Sequence, residues 1–256
     1  MMTKVSRALV WAICAAMLLG VVSAGSAAPR TAEAMLQQAA TENKHLVVLA
    51  WSDNDDTTSK LKTMLEKARV SLASKALFYA LKTDDPANKD FVAKYKLASA
   101  PLPLTLVFAP NGVVVGAFVQ KVVDEKTLAA SFASPKLASV LKLLQDGKLV
   151  LLCVQSKTTQ HNAESLAAAQ GAAADERAKG QIEVVQVDPT DEGCADVVAP
   201  LKLPANLEEA TIRILVPPGT LAGEVKGATT QTAVWDAILK AVAACSGGGC
   251  GAGGCG

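Results

Sequence analysis

Apolar residues in this chain alternate between short continuous runs and helical spacings. Residues 45–52 (HLVVLAWS) form a β-branched and apolar run of strand length, and the spacing over 32–41 suits a short amphipathic helix before it. Leu61, Leu65, Ala68 and Leu72 recur at helical intervals with Met64 beside them, which predicts a helix over 57–72. A second strand over 77–81 closes at Asp84-Asp85-Pro86, and a brief helix is expected over 91–95. Strands over 104–109 and 113–119 flank Pro110-Asn111-Gly112; Pro presets the first central turn angle and Asn-Gly tolerates positive φ, so the pair is a hairpin. Residues 124–145 read as helix, broken near Pro135. A βαβ unit joined to a hairpin, with helices on both faces, packs as three α/β/α layers.

The same order then returns. The strand over 148–155 (KLVLLCVQ) mirrors the one at His45, a strand over 182–187 ending in Asp188-Pro189 mirrors the one ending in Asp85-Pro86, and Lys202-Leu203 mirrors Lys96-Leu97. A second hairpin is expected around Pro217-Pro218-Gly219. A closing helix over 230–243 places Val234, Ile238, Ala241 and Val242 on one face.

The run LASAPLPLTLVFAPNGVVVGAF, in which Pro103 stands just ahead of an apolar strand that ends in Phe108 and a Pro-Asn-Gly turn, resembles thioredoxin. The resemblance covers roughly residues 31–144. It implies that Pro103 is a cis-proline preceded by Leu102, lying against the place of the family's redox centre. The repeated order extends the same reading to a more degenerate second domain, in which the position matching Pro103 falls near Thr211 and is not a proline. The expected architecture is therefore two tandem thioredoxin-like α/β domains, 29–146 and 147–244, followed by a flexible Cys/Gly-rich tail, 245–256.

The first 28 residues add a compartment. Lys4 and Arg7 form a basic n-region, residues 8–22 an apolar h-region, and Val22-Ser23-Ala24 a cleavage-type end, so a signal peptide removed near residues 24–28 is expected. No Cys follows at a lipid-anchor position. The expected location is periplasmic or extracellular, without a stable membrane span after cleavage. The mature chain carries 23 basic and 24 acidic residues, a balance that gives nucleic acid no electrostatic footprint.

Chemistry is sparse where the resemblance would put it. A thioredoxin-fold oxidoreductase keeps its nucleophilic Cys where the first central strand meets the next helix, because helix N-terminal amides stabilise thiolate. Here that junction reads WSDNDDTT over 51–58, without cysteine, so the oxidoreductase activity does not carry over. A calcium loop of the familiar kind is excluded, since Thr58 stands where Gly and Met64 where Glu would be required. Asp55 or Asp56 is expected to cap the helix. Trp51 either contributes with Leu102 and Pro103 to a surface for extended peptide, as the resemblance implies, or packs under the helix. Cys153 lies inside an apolar strand. Cys194 opens a short helix among acidic neighbours, which work against its activation. His45 and His161 fall in different repeats, outside any triad or zinc motif.

The tail spaces Cys245, Cys250 and Cys255 five apart in glycine. Three thiolates on flexible chain could wrap Cu(I) or supply three of four zinc ligands, could exchange disulfides with a partner, or could simply cross-link a terminus. The reading that follows is a redox-inactive exported protein that binds a protein or peptide partner, with thiol exchange or Cu/Zn handling by the tail as the alternative.

Overall fold

The structure, a computed structural model, describes residues 31–204 and 206–244; both expected terminal segments, 1–28 and 245–256, lie outside them. The first repeat runs α1 (Ala32–Thr41), β1 (His45–Trp51), α2 (Asp56–Ser71), β2 (Ala76–Lys82), α3 (Lys89–Lys94), β3 (Leu104–Phe108), β4 (Val114–Val119) and α4 (Glu125–Ala130). The second runs α5 (Pro135–Gln145), β5 (Leu149–Val154), α6 (Asn162–Ala174), β6 (Ile182–Val187), α7 (Ala195–Val198), β7 (Thr211–Val216), β8 (Thr220–Lys226) and α8 (Gln231–Ala244). No helix among the described residues is long and apolar enough to cross a membrane.

Each repeat builds one four-stranded sheet, ordered β2-β1-β3-β4 and β6-β5-β7-β8. β1 is parallel to β2 and antiparallel to β3, and β3 is antiparallel to β4; the second sheet copies this pattern. The continuous apolar run of β1 is explained by burial on both sides. Leu46, Val48 and Ala50 pack toward α1 and α3, while Val47 and Leu49 pack toward α2 and α4. All five are 0% exposed, so each contributes on the order of 1–3 kcal/mol of hydrophobic stabilisation. β5 divides likewise, Val150, Leu152 and Val154 facing α5 and α7, Leu149, Leu151 and Cys153 facing α6 and α8.

The duplication reaches fine detail. The irregularity in the β3–β4 ladder at Val107/Phe108 recurs at Ile214/Leu215 in β7–β8. Left-handed residues precede β1 and β5 at Asn43 and Gly147, and Lys96 and Lys202 share that conformation before the loops that enter β3 and β7. Asp85 caps a 3-10 turn after β2 by accepting the Ala87 amide, and Asp191 does the same after β6 with the Gly193 amide. The counterpart of Asp85 is therefore Asp191; Asp188, the sequence match, instead accepts the Thr190 amide and hydroxyl.

Pro135 does not merely interrupt a helix. It takes the first position of a new one, where its missing N–H costs nothing, behind the N-cap Ser134, which accepts the Leu137 amide. α5 serves both repeats. Val140 and Leu144 sit in the core of the second sheet, while Ala138 packs with Ala109, Val113 and Ala133 of the first. Gln145 pairs with the free edge of β4 as a backbone would, donating to the Val114 carbonyl at 2.7 Å and accepting its amide at 3.3 Å. Across the same junction, the Ser134 amide and hydroxyl both donate to the Asp196 carboxylate at 2.7 Å.

Two elements depart from the pattern reading. α6 is alanine-rich, and alanines appear on its buried face (Ala168, Ala169, Ala172) and its exposed face (Ala163, Ala167, Ala174) alike, leaving no hydrophobic contrast to detect. On α8 the buried stripe is Val234, Trp235, Ile238 and Ala241; Val242, expected on that face, is 45% exposed.

Candidate functional site

The C-terminal ends of β1 and β3's entry loop meet at one end of the first sheet. Ala50 pairs with Leu104, so the next register position sets Trp51 against Pro103, and Leu104 in turn faces Val119 across β3–β4. The Leu102–Pro103 peptide is cis. Pro103 is buried, Leu102 half-buried and Pro101 exposed. Trp51 packs on the α2 side of the sheet and Leu102 on the α3 side, so the three expected residues share an end of the sheet without sharing a face.

The β1–α2 corner keeps the anion-stabilising geometry of a helix N-terminus and fills it with carboxylate. Asp55 is the N-cap of α2, its Oδ1 accepting the Thr58 amide at 2.7 Å. That amide, and then the Thr58 hydroxyl, hold the Asp55 carboxyl below its ordinary range. Three more side chains of the corner are engaged locally: Ser52 donates to Asp53 at 3.0 Å, and Lys62 donates to Asn54 Oδ1 at 2.8 Å. Lys62 Nζ lies 3.3 Å from the Trp51 ring centroid, a cation–π contact that caps the exposed side of the indole. Trp51 thus packs beside α2 while ending the strand at the corner.

Three residues that pattern reading did not single out complete this end of the sheet. Gln120, in the left-handed region at φ 49°, donates its amide to the Pro103 carbonyl at 2.8 Å and its Nε2 to the Leu102 carbonyl at 3.0 Å. It thereby holds the carbonyl of the cis peptide and the carbonyl that follows it. Val119 and Val122 on either side of it are 46% and 49% exposed, two of six large apolar side chains that stand out from the described surface. The available signal was the apolar Val119 and Val122-Val123 continuing past the end of β4, where a solvated loop would be polar.

The second repeat closes the corresponding corner on itself. Gly227 donates to the Ala210 carbonyl as Gln120 does to Pro103, which makes Ala210, one residue before Thr211, the counterpart of Pro103. Ala210 has an amide hydrogen where proline has none, and donates it to the Gln160 carbonyl at 2.9 Å; the Gln160 amide donates to Glu208 at 2.8 Å. This parallel bridge between Gln160 and Glu209 occupies backbone groups of the second corner.

The two described thiols are placed against chemistry. Cys153 is 2% exposed within β5, and desolvation pushes its thiol up to about 12. Cys194 is 2% exposed; burial first and then Asp191, whose Oδ2 accepts from its Sγ at 3.6 Å, raise its pKa, so the helix start there does not activate it. Cys245, Cys250 and Cys255 lie outside the described residues. Among the described residues no group of three or more His, Cys, Asp and Glu could hold a metal ion. His45, at the far end of β1 from the corner, stacks on Phe132 at 4.5 Å with its Nε2 buried and unpartnered; His161 lies 4.0 Å from Glu164.

Strand order and mixed register define a thioredoxin-like fold, present twice, and the first repeat adds a cis-proline loop beside its β1–α2 corner. No family model and no curated protein matches the sequence. Among solved structures the chain is similar to Fasciola hepatica thioredoxin (16% identity over 40% of this chain and 90% of that one, TM-score 0.32). It is also similar to the germline-specific thioredoxin Deadhead of Drosophila melanogaster (17%, 36% and 81%, TM-score 0.29) and to a malarial protein (18%, 35% and 93%, TM-score 0.28).

Proposed function

We propose that this is a redox-inactive thioredoxin-like binding protein, acting outside the cytoplasm, whose first repeat holds an extended protein or peptide segment at the Trp51, Leu102 and Pro103 corner. The observation that carries the reading is the pair of exposed valines, Val119 and Val122, on either side of the residue that clamps the cis-proline loop. Apolar surface next to a rigid loop favours docking of another chain's apolar side chains. The carboxylate N-cap supports the redox-inactive part, since Asp55 takes the amide that would otherwise favour a thiolate. The self-paired Gln160–Glu209 bridge supports assigning binding to the first repeat and not the second. The basic n-region and apolar h-region support export.

One assay separates this role from thiol exchange. When insulin is reduced by limiting dithiothreitol, a reductase hastens the turbidity of the released B chain, whereas a binder delays it. Delay is expected, and it should be lost in Val119→Glu/Val122→Glu. Faster onset would overturn the proposal; if that acceleration vanished in Cys250→Ser/Cys255→Ser, the tail would be its source.

A further inference from the structure

The other exposed apolar side chains that cluster are Leu239 and Val242, 58% and 45% exposed, on the last turns of α8. They border a groove of about 540 Å³, within the range of small-molecule sites. Trp235, Ile238, Leu239 and Val242 form one wall at helical spacing, and Ile182 and Val216 of the second sheet lie in the opposite lining. The groove has a direction. Seven residues separate Trp235 from Val242, about 10 Å along the helix axis.

The Trp235 end is cationic. Of the residues lining the groove only Arg177 and Lys179 are charged, and no carboxylate lines it. The Arg177 guanidinium stands 4.4 Å from the Trp235 ring centroid. It is held there by Asp175, which accepts from Nε and Nη2 at 2.8 Å each and is itself fixed by Gln231 Nε2 at 3.0 Å. Asp175 thus spends two of the guanidinium's donors and leaves Nη1 without a protein acceptor among the described residues, so Arg177, Lys179 and Asp175 together leave one net positive charge.

We infer that this groove binds a free single-chain carboxylate amphiphile, a fatty acid of about eight to twelve carbons, with the carboxylate at Arg177 and Lys179 and the chain along Leu239 and Val242. An apolar trough whose only charged lining residues are two cations, one of them stacked on the Trp235 ring, matches a molecule with one anionic head and one alkyl tail. The site is separate from the Trp51 corner and does not depend on the function proposed there.

Titration calorimetry of the full mature chain with octanoate, decanoate and laurate, each below its micelle concentration, tests this. One-to-one binding is expected, tightening roughly fourfold per methylene and levelling once the chain outgrows the groove. Lys179→Gln and Arg177→Gln should each weaken decanoate about tenfold, and the exposed Leu239→Asp should abolish binding without changing the melting temperature. Val119→Glu/Val122→Glu should bind decanoate as wild type does. Equal affinity for decanoate and decyltrimethylammonium would overturn the head-group assignment. Absence of saturable binding, wild-type affinity in Leu239→Asp, or association only with anionic phospholipid vesicles would overturn the site.

Discussion

Asp196→Ala should loosen the joint between the repeats, and its effect can be worked from the contacts. The carboxylate accepts two hydrogen bonds from Ser134, from the amide and from the hydroxyl, both at 2.7 Å. A hydrogen bond to a charged group contributes about 1.5–3 kcal/mol net when buried, and both residues here are only half-buried, so about 2 kcal/mol for the pair is the discounted figure. The cap on α5 survives, because Ser134 Oγ still accepts the Leu137 amide. Trp51 and Trp235 lie in different repeats and report on each separately in protein produced from residue 29 onward, which lacks Trp11. In urea, wild type should show coincident fluorescence and circular-dichroism transitions, because α5 buries side chains against both sheets. With a slope of about 2–3 kcal/mol per molar for a chain of this size, the variant's midpoint should fall by about 0.7–1 M, and the two probes should begin to separate. Combining it with Ser134→Ala should give a coupling near 1 kcal/mol, since only the hydroxyl bond is shared by the two changes. A midpoint unchanged within about 0.2 M would refute the claim that this contact ties the repeats together.

Other expectations concern titration and the cores. Burial of His45 lowers its pKa below the ordinary value despite acceptor carbonyls at Ala133 and Lys75, so the unfolded chain binds a proton more readily than the folded one. Its contribution is intact above about pH 6.5 and is lost as pH falls through the lowered folded value; His45→Phe should flatten the pH dependence of the melting temperature in that window, and an unchanged slope would contradict it. Cys153, pushed up to about 12 inside β5, should resist alkylation at pH 8 in native protein and react only after denaturation; rapid native labelling at this residue would contradict its placement. Leu49→Ala should cost about 2–5 kcal/mol in chemical denaturation, since it opens a cavity on a fully buried strand.

Most of the fold was legible because strands buried on both faces must be largely apolar, and β1, β3, β5 and β7 are, with His45, Thr105, Thr211 and Arg213 their only polar residues. Pro110-Asn111-Gly112 fixed the first hairpin for a local reason, Gly112 taking φ 79°. What failed to register did so through loss of contrast. Alanine fills both faces of α6, and on α8 Val242 sits at the right spacing but near the helix end, beyond the buried stripe that Trp235 widens instead. The match of Asp188 to Asp85 followed the shared Asp-Pro dipeptide, whereas the conserved physical task, accepting the amide two residues on, falls to Asp191. Pro103 could be found from its neighbours in sequence. Gln120 could not, because only the fold brings its amide to the Pro103 carbonyl, and Val119 and Val122 left no trace beyond being apolar at the end of β4 and past it.

The two corners show how duplicated backbone can part in use through one atom. Gln120 and Gly227 hold equivalent loops by the same amide-to-carbonyl bond, so the frame at both positions is alike. At Ala210 the free N–H recruits Gln160, and the chain pairs with itself across the corner. At Pro103 the ring removes that donor, so the same self-pairing cannot form there. An Ala210→Pro substitution should therefore release Gln160 in the second repeat, detectable as faster amide hydrogen exchange at Gln160 with β5 and β7 remaining protected. Unchanged protection at Gln160 would mean that the bridge is held by its other bond, from the Gln160 amide to Glu208, and that the missing proline hydrogen does not account for the difference between the corners.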